Sequence, residues 1–220
     1  MTSPRDRVVD AALTLAASRD FGDVTLTEIA HEAGISLADL RDLFPSKGAI
    51  LGGFTRRIDR QVLDALAGDN SPDPARDRLY DVLRRRLDAM EPYRDALASI
   101  QRWAGRDPLI RTALNRETVN SMRYMLEAAD IECDGPVGAL KLQGLSFAWD
   151  RVLDAWFAGD YSDALNTLDR ELSRGERFVE HAEDIARMTQ PLRDAAARLF
   201  DWKGFRARPA ADDDFPHSHA

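Results

Sequence analysis

The sequence predicts an all-α fold, and three observations carry that expectation. Helix-forming residues dominate, apolar residues recur at spacings of three and four, and no segment shows the long alternation of a half-buried strand. Capping residues, Pro or Gly punctuate successive segments. With 220 residues, 44% of them hydrophobic, the chain suits one or two domains with a substantial core.

The elements follow in order. Ser3-Pro4 places a cap before a proline at the first helical position, and Val8, Val9, Ala12, Leu13, Leu15 and Ala16 mark the helix behind it. Gly22 breaks the chain before Val24. Thr25 and Glu28 form a capping-box pattern, with Leu26, Ile29, Ala30 and Ala33 on one face. Gly34 stands where the chain turns out of that helix. Ser36 caps the next helix, Asp39 stands three residues on, and Leu37, Leu40, Leu43 and Phe44 supply its apolar side. Pro45 ends it. Ser46 caps a long helix from near Lys47, with Ile50, Leu51, Phe54, Ile58, Val62 and Leu66 inward. Two short helices about a glycine turn are a helix-turn-helix unit, whose second helix can enter the DNA major groove.

Gly68 to Pro74 is a loop by composition. A helix is expected from Ala75 to Met90, containing the basic run Arg84-Arg85-Arg86, which reads as a solvated face or an anion or headgroup site. Pro92 opens another helix through Trp103, and Asp107-Pro108 opens one running to about Ala129. After the loop Cys133 to Pro136, a helix from Val137 to Phe157 carries apolar residues on more than one side, as a helix packed against two neighbours does. Gly159 to Ser162 reads as a turn with Ser162 as cap, and the helix from Asp163 carries Leu165, Leu168, Leu172, Phe178 and Val179. Trp103, Met122, Met125, Phe147 and Trp149 are candidates to line an apolar cavity, since Met and aromatic side chains suit adaptable sites; a filled core is the alternative. From Pro191 to Phe205, Leu192, Ala195, Ala196, Leu199 and Trp202 form a stripe beside basic residues, which fits a helix lying at a lipid interface or packed on its own protein. The tail beyond, with Asp212 to Asp214, is expected to be disordered.

Val24-Thr25-Leu26, Ile29-Ala30, Ala33-Gly34-Ile35-Ser36, Leu40 and Phe44-Pro45-Ser46-Lys47 together resemble the N-terminal domain of the tetracycline-repressor (TetR) family of regulators, over residues 4 to 66. The resemblance implies a helix-turn-helix domain at 1–47, a helical ligand-binding and dimerisation domain at 48–190, and a homodimer. A possible amphipathic helix at 191–206 and a tail at 207–220 complete the expected organisation. It further implies DNA contacts from Thr25, Thr27, Ser36, Leu37, Arg41 and Lys47: hydroxyls on phosphates or bases, Leu37 against a thymine methyl, Arg41 and Lys47 on phosphates. By the same analogy the last two helices form a four-helix bundle with a second copy, through Phe147, Val152, Trp156, Leu168 and Leu172; ordinary intrachain core is the alternative for each. A small apolar effector would then alter the spacing of two reading helices, which in such dimers is about 34–36 Å. Two positions depart from the family pattern. Arg41 stands where the family usually has tyrosine, and Leu43 where it often has histidine or tyrosine.

Charge weighs against DNA. Up to Lys47, five basic residues face eight acidic ones, a net charge of −3, and Asp39 and Asp42 lie in the reading helix itself. Affinity for DNA comes largely from neutralising phosphates. The later segments Arg86 to Ala96, Trp156 to Ser162 and Leu168 to Leu172 are similar to the lipid-binding accessory protein of ubiquinone biosynthesis, a TetR-fold family that does not regulate transcription. That likeness implies a lipid ligand and peripheral membrane contact. Catalytic residues, metal ligands and cofactors find no support: Cys133 is the only cysteine, and the four histidines belong to no recognisable triad. Without an apolar leader or a run of about 20 apolar residues, the chain is expected to be a cytoplasmic binding protein.

Overall fold

In the computed structural model, which describes residues 3–68 and 71–177, every regular element is helical. The order is α1 (Pro4–Ser18), α2 (Leu26–Glu32), α3 (Leu37–Leu43), α4 (Lys47–Leu66), α5 (Ala75–Met90), a 3-10 turn (Glu91–Tyr93), α6 (Arg94–Ala104), α7 (Pro108–Ala128) and α8 (Gly135–Ala158), followed by α9 over 161–177. No helix among the described residues is long and apolar enough to cross a membrane. Phe178, Val179 and the stripe at 191–206 lie outside the described residues.

The amino-terminal helices begin where their caps dictate. The Ser3 hydroxyl accepts from the Asp6 amide, Thr25 from Glu28, Ser36 from Asp39 and Ser46 from Ala49. Both expected capping boxes are closed: Glu28 Oε2 accepts from the Thr25 amide at 2.8 Å, and Asp39 Oδ2 from the Ser36 amide at 3.3 Å. Gly34 has φ +66°, the left-handed angle that a helix C-terminus needs and that Gly adopts freely. The cap of α9 differs from expectation. Asp160, not Ser162, starts it: the Asp160 carboxylate accepts from the Asp163 amide at 3.0 Å while Asp163 accepts from the Asp160 amide at 3.2 Å. An Asx residue placed just ahead of the helix outcompetes a serine that already lies in its first turn.

Packing then fixes where these helices sit. α1 lies against α2, α4 and α6, and α4 lies against α5 and α7. Phe44, at the C-cap of α3, is buried between α1 and α4. Gly53 of α4 permits this: a Cβ there would stand 3.0 Å from Phe44 Cε1 and 3.2 Å from Val9 Cγ2. Burying one such aromatic contributes about 1.5–3 kcal/mol.

Lys47 joins three elements. Its ammonium donates to the carbonyls of Phe21 at 2.6 Å and Val24 at 2.8 Å, and lies 4.6 Å and 4.8 Å from the ring centroids of Phe21 and Trp103. Those rings meet edge to face at 5.1 Å. The Ser99 hydroxyl accepts from the Phe21 amide and donates to the Arg19 carbonyl, both at 3.0 Å. The loop between α1 and α2 is thus held by α4 on one side and α6 on the other.

A second polar knot lies in the core. The buried Arg86 of α5 pairs with the buried Asp59 of α4, which also accepts from Ser121 of α7 at 2.7 Å. Arg86 lies 5.6 Å from the centroid of Trp149 on α8, so one guanidinium ties α5 to both α4 and α8. Its neighbours in the basic run are also engaged, Arg84 with Asp81 and Asp88, and Arg85 with Asp81. The run is therefore an ion-paired face with one buried member, and offers no cluster of free cations.

Two outcomes follow from these contacts. Asp59→Ala strands the Arg86 charge in the core and should cost about 3–5 kcal/mol in urea unfolding, whereas the paired change Asp59→Leu with Arg86→Met should restore most of it. Glu28 gives a pH signature. The Thr25 amide first, then Arg19 at 2.7 Å, hold its carboxyl at about 2, below its ordinary 4.5. The folded value is depressed, so its stabilisation is complete above about pH 4.5 and is lost as pH falls towards 2. Glu28→Gln should flatten that acid limb of the unfolding midpoint against pH.

Candidate functional site

α2 and α3 form the expected helix-turn-helix, and α3 is presented outwards. Leu40 is its one buried residue, anchoring the helix while Leu37, Ala38, Asp39, Arg41 and Asp42 are exposed. Leu37 is 49% exposed. Thr27 and Arg41 are exposed and engage no partner among the described residues. Thr25 and Ser36 are exposed too, but their hydroxyls are taken by the capping boxes: Thr25 Oγ1 donates to Glu28 at 2.8 Å and Ser36 Oγ to Asp39 at 2.7 Å. Lys47 departs from the expected phosphate role. Its ammonium points inward onto the carbonyls of Phe21 and Val24, which need a donor and lie within reach of the α4 N-terminus.

The acidic count is reduced by pairing. Glu28 is neutralised by Arg19, Asp20 meets Arg106 at 2.8 Å and Asp10 meets Arg57, whereas Asp39 accepts from Ser36, a neutral hydroxyl that leaves its charge in place. Asp42 of α3 and Glu32 of α2 remain as exposed carboxylates without a partner among the described residues. One basic group joins this face that the sequence does not signal. Arg5 stacks its guanidinium 4.6 Å from the centroid of Phe44, which carries it to the C-terminal end of α3. Nothing local links the start of α1 to residue 44.

The second candidate site is an open groove of about 1220 Å³ walled by α4, α6, α7 and α8. Phe147 and Trp149 line it, together with Leu51, Phe54, Ile100 and Leu153. Met122 and Met125 do not: both are fully buried on the inner face of α7. Trp103 does not either, since its ring is spent on Phe21 and Lys47. The face of α6 that carries Leu97, Ile100 and Gln101 looks into the groove, while Ser99 and Trp103 of the same helix hold the α1–α2 loop.

The residues expected at a dimer interface are mostly intrachain core. Val152, Trp156, Leu168 and Leu172 are buried in the single chain, and the Trp156 indole donates to Glu91 at 2.9 Å. Periodicity marks a buried face but not which chain buries it. Phe147 alone of the five is open, at 60% exposure. The segments that resemble the lipid-binding family have structural contacts of their own: Arg86 with Asp59, Glu91 with Trp156, and Arg94 donating to the carbonyls of Trp156 and Gly159 at 2.8 and 2.7 Å. Cys133 is buried, and a hydrogen bond to Glu127 raises its thiol pKa further than burial does.

No protein-family model and no curated protein matches this sequence. Solved structures do match its backbone. A TetR transcriptional regulator from Nitrosomonas europaea ATCC 19718 aligns with TM-score 0.62 and 21% identity, over 80% of this chain and 99% of that one. A TetR transcriptional regulator from Rhodococcus sp. RHA1 aligns with TM-score 0.57 and 21% identity, over 78% and 94%. A TetR-family regulator from Streptomyces coelicolor aligns with TM-score 0.54 and 17% identity, over 93% and 100%. With the capped α2–α3 pair, the outward α3 and the helical groove beside it, the chain has the fold of the TetR-family transcriptional regulators.

Proposed function

We propose that this protein is a DNA-binding transcriptional regulator that reads its operator with α3 and responds to a small molecule held in the groove. The outward presentation of α3, with only Leu40 buried, is the observation that carries the reading. Arg41 and Arg5 are the phosphate contacts in this account, Thr27 and Leu37 the contacts nearest base edges, and Asp42 an electrostatic cost at the same face. Two copies would pair through the open side of α8, where Leu140 is exposed. A molecule filling the groove would press on α6, and α6 would pass the displacement to the loop that Ser99 and Trp103 hold. Binding of DNA and of effector are then coupled through one rigid helix.

The test is retention of a DNA fragment flanking the protein's own gene, titrated with salt. Binding should weaken steeply as salt rises. Arg41→Ala should weaken it roughly tenfold at low salt, about 1.4 kcal/mol. The same change should reduce the log–log salt slope by about 1, the value expected when one phosphate is no longer neutralised. Asp42→Asn should tighten binding, and Asp39→Asn should instead loosen α3 because its carboxylate serves the cap. A chain that retains no fragment at low salt overturns the reading.

A further inference from the structure

Phe147, Asp150, Asp154 and Phe157 follow one another along α8 at intervals of three, four and three residues. One face of the helix therefore carries an aromatic ring, two carboxylates one turn apart, and a second aromatic ring. All four line the groove.

Apart from Arg111, the other charges on the groove wall are ion-paired. Arg86 is paired with Asp59, Arg151 with Glu171 at 3.1 Å, and Glu117 with Arg56 at 3.7 Å. Asp154 accepts from Gln101 at 2.5 Å, a neutral amide that leaves its charge in place. Asp150 is half-buried and makes no hydrogen bond among the described residues. Burial first, and the Asp154 charge second, push its carboxyl above the ordinary range, with Arg111 opposing. Arg111 is exposed and is the remaining guanidinium on this wall without an ion pair among the described residues. Two carboxylates against one guanidinium leave the polar side of the groove with an excess of one negative charge.

From this arrangement we infer that the groove selects a lipophilic cation, with its positive centre at Asp150 and Asp154 between the rings of Phe147 and Phe157 and its apolar bulk along Leu51, Phe54 and Leu153. A cation relieves the repulsion between the two carboxylates and gains attraction from aromatic faces. An anionic amphiphile brings a further negative charge to a wall where Arg111 is the one guanidinium without an ion pair among the described residues. The groove is large enough for drug-sized molecules, whose sites span about 300–1,000 Å³. This inference rests on the reading of the groove as the effector site.

Tetraphenylphosphonium and tetraphenylborate are close in shape and opposite in charge, so they isolate the sign of the preference. Isothermal titration of the full chain with each should give at least about tenfold tighter binding of the phosphonium, about 1.4 kcal/mol. Asp150→Asn and Asp154→Asn should each weaken the phosphonium by about tenfold and leave the borate unchanged or improved. Equal affinities, a preference for the borate, or phosphonium binding indifferent to both substitutions overturns the inference. The comparison on the unsubstituted chain decides the matter even where a variant fails to fold. DNA retention measured on the same preparations separates the two claims. Intact DNA retention without phosphonium binding overturns the cation inference alone. Phosphonium binding that leaves DNA retention unaltered upholds the charge preference and overturns the effector role.

Discussion

One ammonium group organises the amino-terminal half of this molecule. Lys47 stands at the first position of α4, and its head is enclosed by two backbone carbonyls and two aromatic rings contributed by the α1–α2 loop and α6. A backbone carbonyl left unpaired in a half-buried place costs about 1–3 kcal/mol, and here a single side chain satisfies two of them. Burial lowers the Lys47 pKa, while Asp20 and Asp23 nearby act to raise it. The position of α2, and of α3 behind it, is inherited from this contact and from the Phe44 ring seated against Gly53.

That arrangement resolves part of the conflict between a DNA-reading motif and an acidic composition. Several carboxylates in the first 47 residues have internal partners: Glu28 closes one capping box and holds Arg19, Asp39 closes the other, and Asp10 and Asp20 hold Arg57 and Arg106. Formal charge counted along a sequence overstates the charge a polyanion would meet. Asp39, Asp42 and Glu32 remain exposed and charged, and Arg5 and Arg41 stand against them. The outward face of α2 and α3 therefore keeps a small negative excess, and under the proposed function recognition would lean on contacts to base edges.

Local signals in the sequence were legible, and tertiary ones were not. Ser3, Thr25, Ser36 and Ser46 announce their helices because a cap acts within four residues. Gly34 announces its turn for the same reason. The TetR-like order of helices could be read from those short-range rules and the Phe-Pro-Ser-Lys boundary. The site was harder. Lys47 is basic and adjacent to the motif, yet its direction is set by carbonyls 23 and 26 residues away. Met122 and Met125 have the chemistry of a pocket wall but face the core side of α7. Val152, Trp156, Leu168 and Leu172 obey the apolar period of an interface, and the chain itself supplies the partner. The charged stripe at Asp150 and Asp154 is illegible in the sequence because acidic residues on a long helix ordinarily mark solvated surface.

Under the proposed coupling of the groove to α3, Trp103 and Trp149 also give this chain a built-in optical readout. Trp103 lies under a positive charge at the α1–α2 loop, and Trp149 lies under another at the groove wall. Indole emission shifts with the field across the ring, so a displaced Lys47 and a filled groove would each alter the colour of a different native fluorophore. Changing one indole at a time to phenylalanine would assign each spectral component, and the order in which the two respond after mixing would time the passage of a signal without any attached dye.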